Sequence, residues 1–431
     1  MKNNFIKSII ILIFGGFLTK ILGMFIKIVL TRTITTEGIG LYSLILPTFN
    51  LFITFSSFGI STAISKLVSE KKKSNKKIIL PIIPLIIIFN LFLILIIYLI
   101  APILSNNLLH NNDLYYPIIA IGLTLPFIGI STIIKGYFFG IEKMFPATLS
   151  NVVEQISRLL LVITLIPYMM KYSLIIAITG VILINIISEG ISIITMMLFI
   201  PRNKNIKLND FKISKEILKD ILHISLPTTG SRLIGSITYF LEPIILTYIL
   251  TKVGYSTNFI TVNYGIINGY VYPLLLLPSF FTLAISNAIL PVISNSYSNK
   301  DYKYTKYKIK QGIRISLLIG IPCTILFMLI PEFFLKLIYN TTEGTSYIKV
   351  IAPIFILYYI QTPLTSCMQA MNMSREAFLG TLIGSIIRIT ILFITSLLKI
   401  GMWPLIIATS INIIFITLHH IYYVLKKIKI D

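Results

Sequence analysis

Residues 78–103 read IILPIIPLIIIFNLFLILIIYLIAPI, without one charged side chain, and they follow KKKSNKK at 71–77. The hydrocarbon core of a bilayer is crossed by about 20 apolar residues in a helix. The stretch is long enough to cross, and the lysines before it mark an edge that stands in water. Eleven further apolar segments lie at 8–30, 39–65, 115–140, 146–169, 174–200, 221–250, 259–293, 313–335, 347–371, 377–398 and 404–425. The whole chain of 431 residues is 56% hydrophobic and 12% charged, with a mean hydropathy of +0.90. A soluble domain carries about a quarter charged residues. These figures exclude a soluble enzyme, a disordered chain and a fibrous repeat. The fold expected is an all-α polytopic membrane protein of about twelve transmembrane helices.

The N-terminus is expected to be a permanent helix. Lys2 and Lys7 precede an apolar run that continues to about Leu30, interrupted by Lys20 and Lys27. It is longer than the core of a secretory signal and lacks a small-residue cleavage pattern. The net charge is +22. In a membrane protein such an excess belongs to cytoplasmic loops, so no nucleic-acid partner is expected. With the N-terminus inside, 26 basic residues fall in the N-terminal segment, the even connections and the tail, against six in the outer connections. Lys135 and Lys143 are counted among the cytoplasmic ones. The bias predicts a multi-pass protein of the cell membrane with both termini in the cytoplasm.

Self-similarity predicts two pseudo-symmetric six-helix lobes, 1–201 and 221–431, joined by a cytoplasmic linker at 202–220. LTKILG at 18–23 lies against GSRLIG at 230–235, aligning Lys20 with Arg232. An offset of 225 matches Gly40 with Gly265, Phe55 with Phe280 and Ser61 with Ser286. An offset of 230 matches Ala147 with Ala377, Leu149 with Leu379 and Arg158 with Arg388. Ile213, Ile217 and Leu218 give the linker an amphipathic end suited to a membrane surface.

A charge at the bilayer centre costs about 2.5–3.5 kcal/mol on insertion scales. The basic residues within the spans are Lys20, Lys27, Arg158, Arg232 and Arg388, and the acids are Glu154, Glu189 and Glu242. Lys20 and Arg232, matched by the repeat, are expected to face one cavity and attract an anion such as a phosphate. Lys27 and Arg32 either extend a basic track or snorkel to the outer headgroups. Glu242, ten residues after Arg232, is placed at the same cavity. Glu154 and Arg158, four apart, are expected to form a structural pair. Arg388 has no such partner on its own helix. Glu189 is read as a proton or cation site, or as a buried neutral acid.

No catalytic set emerges. G-x-S-x-G, a phosphate-binding loop and paired carboxylates at hydrolase spacing are all missing. Cys323 and Cys367 build neither a disulfide framework nor a zinc site. His110, His223, His419 and His420 form no metal-ligand spacing, and no cofactor is expected. The protein is not expected to be an enzyme. Transport would draw on an ion gradient, the membrane potential or the substrate's own gradient.

LTKILGMFIKIVLTRTITTEGIGLYSLILPTFNLFITFSSFGISTAISKLVSE at 18–70 resembles the opening of the stage V sporulation protein B family, of the multidrug/oligosaccharidyl-lipid/polysaccharide exporter superfamily. KGYFFGIEKMFPATLSNVVEQISRL at 135–159 is similar to the family's helix 4–5 segment. SRLIGSITYFLEPIILTYIL at 231–250 and YGIINGYVYPLLLLPSFFTLAISNAILPVIS at 264–294 resemble helices 7 and 8. The resemblance implies a two-lobed bundle with a central cavity and alternating access. Its flippase members move lipid-linked sugars outward, with basic residues of helices 1, 2 and 7 at the cavity. That points here to Lys20, Lys27 and Arg232, with no basic residue inside helix 2. The family usually continues to about fourteen helices, whereas this sequence ends after the twelfth.

The function expected is a flippase for a polyprenyl-pyrophosphate-linked saccharide, working in membrane lipid as a monomer, with a coupling ion as a further ligand. The alternatives are a cation-coupled multidrug exporter of the same superfamily and a non-transporting scaffold for wall or spore-coat assembly.

Overall fold

The computed structural model describes residues 2–70, 74–201, 208–211 and 214–430. The chain is helical throughout them. The helices are α1 (Lys2–Thr33), α2 (Thr36–Ser69), α3 (Asn75–Leu108), α4 (Tyr115–Gly140), α5 (Met144–Met170) and α6 (Leu174–Met197). They continue as α7 (Lys215–Val253), α8 (Ser279–Ser298), α9 (Tyr302–Leu329), α10 (Thr345–Ala370), α11 (Ser374–Ser396) and α12 (Trp403–Ile430). Among the described residues twelve helices are long and apolar enough to cross a membrane. The protein is a multi-pass membrane protein. Its exposed apolar side chains, such as Ile88 at 67% and Leu318 at 74% exposure, are those a lipid-facing surface requires.

Local chemistry sets the helix ends. Thr35 caps α2 by accepting from the Gly38 amide at 3.3 Å, and Glu37 places negative charge in the first turn. α2 breaks at Phe58 and Gly59, whose φ angles of 40° and 60° are left-handed. Asp301 accepts from the Tyr304 amide at 3.0 Å. α9 therefore starts eleven residues before its apolar run, with KYTKYKIK as a helical extension. The segment expected as one helix at 259–293 is broken. It runs as Thr257–Gly265, a π-helical turn Ile266–Val271 and Tyr272–Leu275 before α8 begins at Ser279. Pro273 and Pro278 cause this, because proline lacks the N–H that a continuous helix needs.

The chain divides into two compact units, Met1–Pro243 and Ile244–Asp431. The division falls within α7 and not in the expected linker, of which 202–207 and 212–213 lie outside the described residues. The physical reason is burial. Ile217 and Ile221 at the start of α7 join a core with Ile60, Ile64 and Val68 of α2, Ile82 and Ile86 of α3 and Ile133 of α4. Ser236 of α7 also shares a 2.9 Å hydrogen bond with Thr54 of α2. In the second unit Ile293, Ile309, Leu364, Met368, Ala377 and Val424 from α8 to α12 form a separate core.

The internal repeat is visible in the backbone. α4 and α10 start at Tyr115 and Thr345, and α5 and α11 at Met144 and Ser374, each pair 230 residues apart. Left-handed residues recur at the same interval, His110 with Asn340 and Glu142 with Asn372.

α4 packs on α2 through Gly136 and Gly140. A Cβ at Gly136 would stand 2.8 Å from the Ser61 carbonyl oxygen, and one at Gly140 2.9 Å from that of Ser65. Such G-x-x-x-G spacing lets helix backbones approach closely. Gly136→Val is expected to cost about 1–3 kcal/mol through overpacking. Gly190→Ala, where nothing lies within 4 Å of the added carbon, should be neutral or mildly stabilising. Thermal unfolding in detergent, followed by loss of monodisperse protein, checks both.

Candidate functional site

The first unit holds a cavity of about 410 Å³ lined by polar and charged groups of four helices. α5 supplies Glu154, Gln155 and Arg158, on one face because three or four residues make one helical turn. α6 supplies Asn185 and Glu189, α1 supplies Lys27, and α2 supplies Tyr42 and Asn50.

Glu154 is the hub. Its Oε1 accepts from the Arg158 guanidinium at 2.8 Å, and its Oε2 lies 3.6 Å from Lys135 Nζ on α4. Arg158 Nε also donates to Ser188 Oγ at 3.4 Å. The neighbour of Ser188, Glu189, is buried within electrostatic reach of Lys135, Glu154 and Arg158. Its Oε2 has no hydrogen-bond partner. Lys135 and Arg158 thus stand beside two carboxylates, and Lys27 lines the same cavity. A proton on Glu189 would make the charge of this set more positive by one. In a low-dielectric surround such a change alters the affinity for an anion strongly.

Lys27, Glu154, Arg158 and Glu189, singled out separately in the sequence, come together here. Lys20, Arg32 and Arg232 are exposed and lie outside this cavity. Glu242 is buried, 1% exposed, one residue before the end of the first unit. Arg388 finds its partner on another helix, donating to Thr409 Oγ1 at 3.3 Å, and Thr409 is 2.8 Å from the Tyr272 hydroxyl. The assignment of Lys135 to a cytoplasmic connection is corrected. It lies inside α4, which runs on to Gly140, because GYFFG continues the helix past it and Glu154 neutralises it.

Sequence reasoning passed over Lys135, Tyr42, Gln155 and Asn185. A signal existed for Lys135, which falls within the apolar segment 115–140. Tyr42 had one too. Tyr42 lies close to Arg158 as Tyr272 lies by the Thr409 that serves Arg388, and both members of the two pairs are 230 residues apart. Asn185 and Gln155 carry no signal, since a lone amide in an apolar helix is common. Among the described residues no group of three or more His, Cys, Asp or Glu side chains gathers as a metal site would need.

The profile described as "Polysaccharide biosynthesis protein" matches residues 5–297. The chain belongs to that family. A second profile, MatE, matches 243–394, starting where the second unit starts. Stage V sporulation protein B of Bacillus subtilis is 33% identical over 442 residues, covering 100% of this chain and 85% of that protein. Lipid II flippase MurJ of the same organism is 20% identical, covering 91% of this chain and 77% of the relative. Among solved structures, an inward-facing MATE family multidrug resistance transporter of the MOP superfamily superposes with a TM-score of 0.76 at 16% identity. It covers 95% of this chain and 94% of its own. Lipid II flippase MurJ in an inward closed conformation gives 0.74 at 19% identity, covering 95% and 86%. This member of the polysaccharide biosynthesis family therefore has the fold of these MATE and MurJ structures.

The ion cluster predicts an asymmetry between its two acids. Glu154→Ala leaves Lys135 and Arg158 facing each other and is expected to destabilise by about 3–5 kcal/mol, as removal of one partner from a buried pair does. Glu189→Gln keeps the shape and loses no bond at Oε2, so its cost should stay near or below about 1 kcal/mol. Thermal unfolding of the purified variants in detergent separates the two. Equal melting temperatures would show that Glu154 is not the hub.

Proposed function

We propose that the protein is an alternating-access flippase for a lipid-linked, pyrophosphate-bearing saccharide, a cell-wall or polysaccharide precursor. The observation that carries this reading is the set of cations at the first unit's cavity, Lys27 and Arg158 on its wall and Lys135 beside Glu154. A diphosphate leaving water loses hydration, and fixed cations in a low-dielectric surround offset part of that loss. Lys20 and Arg232 are exposed, as groups that meet a ligand from water must be. They are the first contacts proposed, with Lys27 and Arg32 extending the track and Glu242 set beside it. Glu189 is the proposed site of a coupling proton. The MurJ relative, a lipid II flippase by name, supports the substrate class.

A cation-coupled drug exporter is the second reading, supported by a MATE likeness as close in fold as the flippase one. An exporter of cationic drugs would hold an excess of carboxylates, and this cavity holds no such excess, with Lys27 and Arg158 matching Glu154 and Glu189. A scaffold without transport would have no use for buried charges that are costly to insert.

Lys20→Ala and Arg232→Ala are each expected to slow flipping of fluorescent lipid II in proteoliposomes about tenfold or more, since one charge-assisted hydrogen bond is worth about 1.5–3 kcal/mol. Arg232→Lys should keep part of the rate, because the charge stays while the fork is lost. Equal movement of a neutral polyprenol sugar, or a double alanine variant with full rate, would leave the drug-exporter reading standing. Both termini are proposed to be cytoplasmic. A cysteine at Asn106 should then react with an impermeant label outside the cell, and one at Asn75 should not.

A further inference from the structure

The second unit carries a groove of about 480 Å³ at the turn from α8 to α9. Its volume lies within the range of small-molecule pockets, about 300–1,000 Å³. Asn295, Asn299, Asp301 and Tyr304 supply its polar lining, and Pro291 and Val292 its apolar part. Among the described residues no lysine or arginine lines it, although Lys300, Lys303 and Lys306 stand exposed in the same stretch of chain. The groove is therefore not built for a phosphate, unlike the cavity of the first unit.

Buried hydrogen bonds fix the turn. Ser296 Oγ lies 2.7 Å from Thr305 Oγ1, and the Asp301 amide donates to the Ser296 carbonyl at 2.9 Å. The Asp301 side chain accepts from the Tyr304 amide at 3.0 Å, which sets the first turn of α9. Lys300 takes the left-handed φ of 61° that closes the turn. The groups held by these bonds are in place before a ligand arrives, which spares part of the ordering cost of binding.

Asn295 and Asn299, one helical turn apart and both exposed, share one hydrogen bond of 3.2 Å between their side-chain amides. Whichever residue donates it, the pair keeps one amino group and one carbonyl outside that bond. An acetamido group carries the complement, one carbonyl acceptor and one N–H donor. The Asp301 carboxylate has about four acceptor sites, enough to take a sugar hydroxyl besides the Tyr304 amide. Tyr304 is 44% exposed. Its ring is braced by Tyr307, stacked at 6.4 Å and 28°, with Lys308 Nζ 5.3 Å from its centroid. A ring so held offers a rigid, amphipathic surface to the C–H face of a sugar at low entropic cost. We propose that this groove binds an N-acetylated saccharide, with the Asn295–Asn299 pair on the acetamido group, Asp301 on a hydroxyl and Tyr304 against the ring. That this sugar is the head of a transported lipid rests on the flippase reading.

The test uses a free saccharide and measures no transport, so it succeeds or fails apart from that reading. N,N′-diacetylchitobiose is offered to the protein in nanodiscs, and saturation transfer to its protons is read by NMR against empty nanodiscs. Its acetamido methyl and ring protons should both receive saturation. Asn295→Ala, Asn299→Ala and Tyr304→Ala should each weaken binding about twofold to tenfold, the range of one neutral hydrogen bond or one ring contact. Tyr304→Phe, which keeps the ring, should bind more tightly than Tyr304→Ala. Lys306→Gln, outside the groove, should bind as the parent does. Unchanged melting temperatures show that the variants fold. Maltose, which has no acetamido group, should bind more weakly, and inorganic pyrophosphate should not displace the chitobiose. The proposal is overturned if empty nanodiscs give the same signal, if the alanine variants bind as the parent does, if maltose binds equally, or if pyrophosphate displaces the saccharide.

Discussion

Glu154 holds two cations at once, and the interior of the first unit depends on it. Its carboxylate stands 3.6 Å from Lys135 and 2.8 Å from Arg158 and offsets part of the desolvation of two half-buried cations. The cost of bringing ions out of water is met by the ion pair from Lys135 of α4 and by the hydrogen bonds that Arg158 donates to Glu154 of α5 and Ser188 of α6. That convergence needs α4 close to its neighbours. Gly136 and Gly140 allow it, with no side chain to hold α4 off α2. A stripe of small residues and a buried ion triad are thus two aspects of one packing solution.

The remaining charge gives the cavity its chemical character. Glu189, beside the triad, has an oxygen with no hydrogen bond to lose. Family membership and fold agree on a multi-pass membrane protein built like the solved MATE and MurJ structures. Transport, with a saccharide as its cargo, is a proposal that rests on the cations at this cavity.

The two repeats share a framework and differ in chemistry. Helix starts, left-handed turns and the Tyr–Arg pairs Tyr42/Arg158 and Tyr272/Arg388 recur at a common spacing. The acids do not. At that spacing Gly384 takes the place of Glu154 and Thr365 that of Lys135, so hub and partner cation are lost together in the second unit. Losing only one would have left a buried ion without compensation. Arg388 persists there by bonding Thr409, a neutral group on the adjoining helix.

The sequence by itself determined the helices, their number and the internal repeat, because insertion into lipid is decided segment by segment from local hydropathy. It also exposed Glu154 with Arg158, since a four-residue spacing fixes their proximity within one helix. What it could not supply was which helix faces which. Lys135 looked like the start of a loop, and only its distance to Glu154 shows it to be a half-buried, paired ion. The repeat pointed to Lys20 for a cavity and left Lys27 between a basic track and snorkelling, yet Lys20 is exposed and Lys27 lines the first unit's cavity. The division at Pro243 was equally hidden, because it depends on Ile217 and Ile221 packing against residues more than eighty positions earlier. Hydropathy acts along the chain and is legible there. Charge neutralisation and close packing act between helices, so only the tertiary structure decided them.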